Sequence, residues 1–475
     1  MANFVITTHM TNGDVLPFLR FAVALKNRGH EATLVTHGVF EPVARKAGIG
    51  FEPIDKPEEY TQIMKDLQWI EDPLNRPDLV QKYENKYYSC EKYRKEYTIL
   101  ARLCEKENSV LVCKERDGYV AMIVSEKLGI PIVTGVLAPS YVTQIKVWEE
   151  LDLNFMVNLV NKFRAEVELP PVKHWMSWMA AVKKNVGFWH ELYDQAIPSP
   201  EWALPIETVG FPLADKAEYE ELPEDLLAFI EAGEPPLLVT GGTGKMIKPN
   251  FYEACIAACK LLGRRTIVVT RHEEFIQSEL PDYIKWYKIL PLAGVYPLVG
   301  GVIHHGGIGT ITGAMSAGTP QLALAADTDR PDNGMRIKQL GIGDYLPPLR
   351  WQPDVVAQAI EGILQPAVKE RCRKMAQVML EHDTMAAACE AVEVIIGNKE
   401  YAISGKKLEE ALSGTEAKQA EPVDPKREER AAKAQTSTMT AEKKAWLARE
   451  LMRRRGQGSG AGESANKGAT HEQSV

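Results

Sequence analysis

The chain has 475 residues, 45% hydrophobic and 25% charged, which suits a globular protein of two domains of about 200 residues plus an extra segment rather than one core. A formal net charge of −8 argues against general affinity for nucleic acid or an anionic membrane. Seven scattered cysteines (90, 104, 113, 255, 259, 372 and 389) include no Cys-x-x-Cys metal pair; with no signal-like leader and no stretch of membrane-span length, a reduced, cytoplasmic location is expected.

In chain order, Asn3 to Thr8 is a short apolar strand. Asp14 precedes a helix as its N-cap, with Pro17 in the first turn and Val15, Leu16, Leu19, Ala22, Val23 and Leu25 as an apolar stripe. Gly29 ends that helix, and Glu31 to Thr36 is the next strand. The pattern repeats through Ser109 to Cys113, the helix Gly118 to Leu128 and the strand Pro131 to Gly135, so the first half reads as an open parallel sheet. Residues 56 to 106 are mainly helical, and Tyr83, Tyr87, Tyr88, Tyr93 and Tyr97 in them read as packing and rim residues. From Trp148 to Trp202, Trp175, Trp178 and Trp189 crowd with Met156, Met176 and Met179. That composition suits a helical insertion packed on the sheet, or an adaptable apolar cleft for a greasy ligand.

Prolines 198, 200, 205, 212 and 223 mark an interdomain linker. A second doubly wound sheet begins with the strand Leu237 to Thr240, then a glycine-rich turn, Gly241 to Lys245, and a helix from Pro249 to Leu262. It continues with strands at Thr266 to Thr270 and near Lys288 to Leu290. The division is therefore 1–204, linker 205–235, 236–399 and a tail 400–475. The tail is too poor in apolar residues to join a core and is expected to be disordered apart from a basic amphipathic helix at 441–455. That helix is either solvated or a docking element for a protein or an acidic membrane surface.

The most informative stretch is Gly300 to Arg336. A strand, Gly301 to His304, runs into glycines 306, 307 and 309, a small-residue helix from Thr310 and a parallel strand, Gln321 to Ala326. Glycines that let backbone amides approach an anion, followed by a helix start with unpaired donors and partial positive charge, point to a bound phosphate or pyrophosphate. His305 can donate to a phosphate oxygen; alternatively His304 and His305 are only strand-end residues. The spacing of Gly307, Gly309 and Gly313, with Asp327 further on, also nearly matches a dinucleotide fingerprint, so a nicotinamide-dependent oxidoreductase stays open. A lysine-dependent phosphate loop is excluded, because no Gly-Lys-Ser/Thr follows these glycines. Asp327 and Asp329, one residue apart, could hold a divalent cation.

Residues 305–310 (HGGIGT), 317–321 (AGTPQ) and 327–333 (DTDRPDN) resemble the donor-binding signature of family-one glycosyltransferases, the nucleotide-sugar-dependent enzymes of the GT-B fold. Residues 12–17 (NGDVLP) and 28–31 (RGHE) resemble the same family. Residues 128–131 (LGIP), 138–140 (APS) and 210–213 (GFPL) look most like the bacterial branch holding sterol glucosyltransferases and the rhamnosyltransferase of rhamnolipid synthesis. The resemblance spans residues 3 to 395.

It implies an α/β protein of two doubly wound Rossmann-like domains facing a cleft. The first domain would bind the acceptor and the second a UDP- or dTDP-hexose, with the last helix crossing back to the first and the tail lying outside both. On this reading His305, Gly307, Gly309 and Thr310 hold the donor phosphates with Thr243 nearby, and Asp329 holds sugar hydroxyls beside Arg330, which replaces the family's usual Gln. Ile289 stands where related enzymes stack an aromatic ring on the base. The family's base position falls on Asp14, with His9 as the alternative proton acceptor. The resulting expectation is an inverting hexosyltransferase acting on a hydroxyl of a hydrophobic small molecule or lipid, with no cofactor, no metal site, and possible membrane or carrier contact through the tail helix. A GT-B-type epimerase and a catalytically silent scaffold that binds a partner through its tail are the other readings.

Overall fold

The computed structural model describes residues 1–70, 76–115, 118–141, 155–197, 204–213, 221–242, 250–276, 279–326 and 329–404. Two parallel sheets organise them. The first contains β1 (Asn3–Thr7), β2 (Glu31–Thr36), β3 (Gly50–Pro53), β4 (Ser109–Lys114), β5 (Ile132–Val136), β6 (Lys184–Gly187) and β7 (Glu207–Thr208), in the order 3-2-1-4-5-6-7. The second contains β8 (Leu237–Thr240), β9 (Thr266–Val269), β10 (Ile284–Tyr287), β11 (Gly301–His304), β12 (Gln321–Leu324) and β13 (Gly343–Leu346), in the order 10-9-8-11-12-13. The central strands are buried along their whole length, as expected for parallel strands covered by helices on both faces. In each sheet the strand order reverses once, between β1 and β4 and between β8 and β11. Such a reversal leaves a crevice beyond the carboxyl ends of the strands.

Several sequence expectations shift. The strand expected near Lys288 to Leu290 is Ile284–Tyr287, where Trp286 Nε1 donates to the Thr270 carbonyl. The stretch 205–235, read as a linker, carries β7 and the helix Glu224–Glu231, whose Leu226 and Phe229 pack with Leu238 and Ile267. Trp178, Met156 and Met179 belong to the core beneath the helix Tyr119–Leu128, with Trp178 stacked on Tyr119 at a 6.3 Å centroid separation. They therefore pack the sheet and do not line a cleft. Trp189 is likewise buried, among Phe211, Ile311 and Met315 where the two halves meet.

The halves are joined by polar contacts as well as this shared core. Arg336, fully buried, donates from Nη1 to the carbonyls of Tyr193 at 2.8 Å and Asp194 at 3.0 Å, and from Nε to Asp332. The helix Thr384–Glu393 returns to the first half, where Ala388, Cys389 and Val392 pack among Phe4, Phe18 and Leu25. Glu393 ends this helix in bonds to Arg28 at 2.6 Å and His30 at 3.1 Å, and the Arg28 hydrogen bond foremost holds its carboxyl down to about 2.

The tail begins later than expected. Ala402 and Ile403 are buried, and the Ile403 amide donates to Ser125 Oγ at 3.1 Å, so residues 400–404 belong to the body. Residues 405–475, with the helix expected at 441–455, lie outside the described residues. Truncation after residue 404 should leave the melting temperature nearly unchanged. Truncation after 398 removes one buried isoleucine and should cost about 2 kcal/mol. Calorimetry of the two truncated chains checks both statements.

Candidate active site

In the second domain, the β8/β11 reversal brings together two glycine turns that lie about sixty residues apart in sequence. Their meeting point is the His305 ring. A Cβ at Gly242 would sit 2.7 Å from its Cε1, and a Cβ at Gly307 would sit 2.5 Å from its Nε2, so neither position accepts a side chain. Gly306 has φ +88, and a Cβ there would press on the Arg330 carbonyl at 2.9 Å. The helix Ile308–Ser316 starts from this turn with Gly307 as N-cap, and a Cβ at Gly309 would point into open space. The first-turn amides of this nine-residue helix thus border room for a ligand.

The adjacent histidines do different things. His304 is buried; the Gly306 amide donates to its Nδ1 at 3.0 Å, so its proton sits on Nε2, 3.1 Å from Gln321 Oε1. Burial pulls it down to about 4, and it acts as a neutral brace for the turn. For His304 the strand-end reading is therefore correct. His305 is half-buried, and its Nδ1, shielded from water, has no hydrogen-bond partner among the described residues. Burial holds this imidazole well below its ordinary value, and the positive charge of Arg330 pushes the same way. In the neutral tautomer whose proton sits on Nδ1, that N–H, beside an arginine and a helix N-terminus, is suited to donate to an anionic oxygen.

Behind the turn, Asn333 donates from Nδ2 to Asp329 Oδ2 at 2.7 Å and to the Gly306 carbonyl at 3.1 Å, while its Oδ1 accepts from the Tyr193 hydroxyl at 2.9 Å. One buried amide thereby fixes Asp329, the glycine turn and the first domain together. Thr310 is buried near the Tyr296 phenol. Ile289 is exposed. Thr243 and Asp327 lie outside the described residues.

In the first domain, the β1/β4 reversal collects the acid–base groups. The helix after β1 is Asn12–Asn27, with Thr11 as N-cap and Asp14 in its first turn, so Asp14 is not the cap itself. Its Oδ2 reaches back to accept from the Thr11 amide at 2.9 Å and Oγ1 at 2.7 Å. Its Oδ1 meets the ammonium of buried Lys114, the last residue of β4, at 2.7 Å. An ionised carboxylate has about four lone-pair positions, so the described contacts leave one, on Oδ1. His9 pairs through Nε2 with Glu96 at 3.2 Å, and Glu96 also accepts from Thr7 Oγ1 at 2.8 Å.

Two tyrosines near these groups are held neutral by burial. Burial pushes the Tyr141 hydroxyl well above its ordinary value, and the carboxylates of Asp329 and Asp14 act in the same sense. Tyr60 is raised to about 12 by burial, then by Asp14 and Asp55, against Arg271 in the loop after β9. The reasoning from sequence missed Lys114, Glu96, Asn333, Tyr141 and Arg271. Asn333 carried a signal, four residues after Asp329 on one helix face; the others come from separate strands and helices and left no local pattern.

Two doubly wound parallel sheets, each with one reversal of strand order, are the architecture of the GT-B fold. Comparison with known proteins agrees at both ends of the chain. Residues 4–147 match the model of the glycosyltransferase family 28 N-terminal domain, and residues 263–396 that of the erythromycin biosynthesis protein CIII-like C-terminal domain. A sterol 3-beta-glucosyltransferase of Arabidopsis thaliana is 24% identical over 417 residues, covering 80% of this chain and 66% of the relative. The O-mycaminosyltylonolide 6-deoxyallosyltransferase of Streptomyces fradiae is 23% identical over 422 residues, covering 82% of this chain and 96% of the relative. Among solved structures, a spinosyn rhamnosyltransferase complexed with thymidine diphosphate superposes with a TM-score of 0.59 at 17% identity, covering 82% of this chain and all of that one. In sequence and in fold the chain resembles the family-one glycosyltransferases of the GT-B fold. It spans about two thirds or less of the length of the sterol glucosyltransferases that it matches.

Proposed function

We propose that this chain transfers a hexose from a UDP- or dTDP-sugar to a hydroxyl of a hydrophobic small molecule or lipid, with inversion and without a metal ion. The observation that carries the reading is the unpaired Nδ1 of His305, enclosed by two glycine turns beside Arg330 and a helix N-terminus. The relatives named for glycosylating sterols and a macrolide support the acceptor class, and the neighbour holding thymidine diphosphate supports the donor class.

In this mechanism a base in the first domain removes the acceptor's hydroxyl proton. The acceptor oxygen attacks the anomeric carbon from the face opposite the nucleotide, and the bond from that carbon to the phosphate oxygen breaks. His305, the first-turn amides of Ile308–Ser316 and the nearby Arg330 charge stabilise the departing diphosphate. Asp329, fixed by Asn333, holds sugar hydroxyls. Asp14 is the base of this account: it stands in the first turn of the helix after β1, where one lone-pair position on Oδ1 is left by the described contacts. One observation favours a second choice. His9, backed by Glu96, is a histidine–carboxylate pair of the kind that accepts protons, whereas Asp14 is already engaged by Thr11 and Lys114.

Calorimetric titration with UDP- and dTDP-sugars tests the donor assignment. The protein should bind at least one of them, with affinity unchanged by a chelator. Binding of a nicotinamide dinucleotide in their place would move the chain to oxidoreductase chemistry. Loss of sugar-nucleotide binding with chelator, restored by magnesium, would make the 327–329 segment a metal site.

A further inference from the structure

Between β1 and the helix Asn12–Asn27, the chain passes through an unusual backbone conformation. Met10 has φ +86. The two other described non-glycine residues with positive φ, Asn108 and Glu168, sit at 55 and 59 in turns, near the ordinary left-handed minimum. Met10 instead lies in the short loop between His9 and Asp14, and such a residue stays in place only when its surroundings hold it there.

The holding groups are visible. The Met10 amide donates to His37 Nε2 at 3.0 Å. Since that nitrogen accepts, the ring's proton sits on Nδ1, which donates to Asp55 Oδ2 at 2.5 Å. Asp55 Oδ1 accepts from the Gly38 amide at 2.9 Å, and a Cβ at Gly38 would lie 2.7 Å from the Asp55 carbonyl, so close approach requires glycine there. His37 is buried just beyond β2, with its ring 4.8 Å from that of Tyr60 and 6.0 Å from that of His9. The preceding Thr36 hydroxyl donates to the Thr8 carbonyl at 2.5 Å. The Met10 side chain packs with Ile63, Leu67 and Tyr83.

We propose that His37, oriented by Asp55, is a positioning residue for the transfer reaction: it clamps the strained Met10 backbone and thereby sets where His9 and Asp14 stand. His37 itself touches neither donor nor acceptor in this account. The inference rests on the proposed glycosyl transfer, because His9 and Asp14 are its candidate bases. Released from the clamp, Met10 relaxes toward negative φ and carries the loop with it. Misplacement of a reacting group by about 1 Å can cost about a hundredfold in rate.

The test combines amide exchange with kinetics in the full-length chain. His37→Ala should make the Met10 amide exchange faster, lower kcat by about a hundredfold, and leave donor affinity unchanged. His37→Gln, whose side-chain carbonyl can accept from Met10 and whose amide can donate to Asp55, should restore most of the rate. Met10→Gly removes the preference against positive φ, so His37→Ala should cost only a few-fold in that background. An unchanged Met10 exchange rate in His37→Ala, an unchanged kcat, or an equal loss in both backgrounds would overturn the proposal. Should His37→Ala fail to fold, His37→Gln and its exchange rate carry the test. If the wild type transfers no sugar to any acceptor, the functional reading fails, while the exchange measurements still judge the clamp.

Discussion

Asp14→Asn should leave donor affinity intact and lower the transfer rate by about two to four powers of ten, the usual range for removing a positioned general base. The structure adds a consequence that the sequence did not show. Asparagine can still accept from the Thr11 amide, but it offers no charge to Lys114, a buried ammonium 2.7 Å from Asp14. Breaking a buried pair from one side costs about 3 kcal/mol or more, so the variant's melting temperature must be measured beside its rate. Two further variants separate the candidate bases. If Asp14 takes the proton, Glu96→Gln should transfer at close to the wild-type rate. If His9 takes it, both His9→Ala and Glu96→Gln lose rate, because the imidazolium then lacks the carboxylate 3.2 Å away. A folded Asp14→Asn enzyme with near-normal turnover, beside an inactive His9→Ala, would transfer the role to His9.

The second large effect is expected at the donor end. His305→Ala deletes the ring on which the turns at Gly242 and Gly307 close, together with the unpaired Nδ1 offered to the diphosphate. It should weaken nucleotide-sugar binding by about 1 to 3 kcal/mol and slow transfer as well. His304→Ala makes a contrasting control. Its ring braces the Gly306 amide and Gln321, so its loss should lower thermal stability more than it lowers the donor's specific contacts. Calorimetry with the donor decides the first point, and unchanged affinity together with unchanged rate in His305→Ala would make that ring structural.

How much of this was legible beforehand follows from what is local. The repeated apolar strands, the amphipathic helices and the glycine turn at 306–309 announce themselves within short windows, so both doubly wound sheets could be read. The short strands β3, β6, β7 and β13, of two to four residues, lack a periodic signal and were not expected. The tryptophan-rich stretch stayed open between two readings, because bulky apolar residues look alike whether they line a cleft or fill a core. Partners of the site were invisible for a geometric reason. Lys114 reaches Asp14 across a hundred residues, Glu96 reaches His9 across 87, and Tyr193 reaches Asn333 across 140. Only the fold brings such pairs together, and with them the strained Met10 and its clamp.

The central claim is transfer itself. Purified protein incubated with UDP- and dTDP-hexoses and pooled hydrophobic hydroxyl compounds, sterols among them, should yield an acceptor heavier by one hexosyl unit together with an equivalent amount of free nucleoside diphosphate, both read by mass spectrometry. Folded protein that binds the nucleotide sugar yet produces neither a glycosylated acceptor nor nucleoside diphosphate across that panel would contradict the account and leave a binding scaffold of GT-B form.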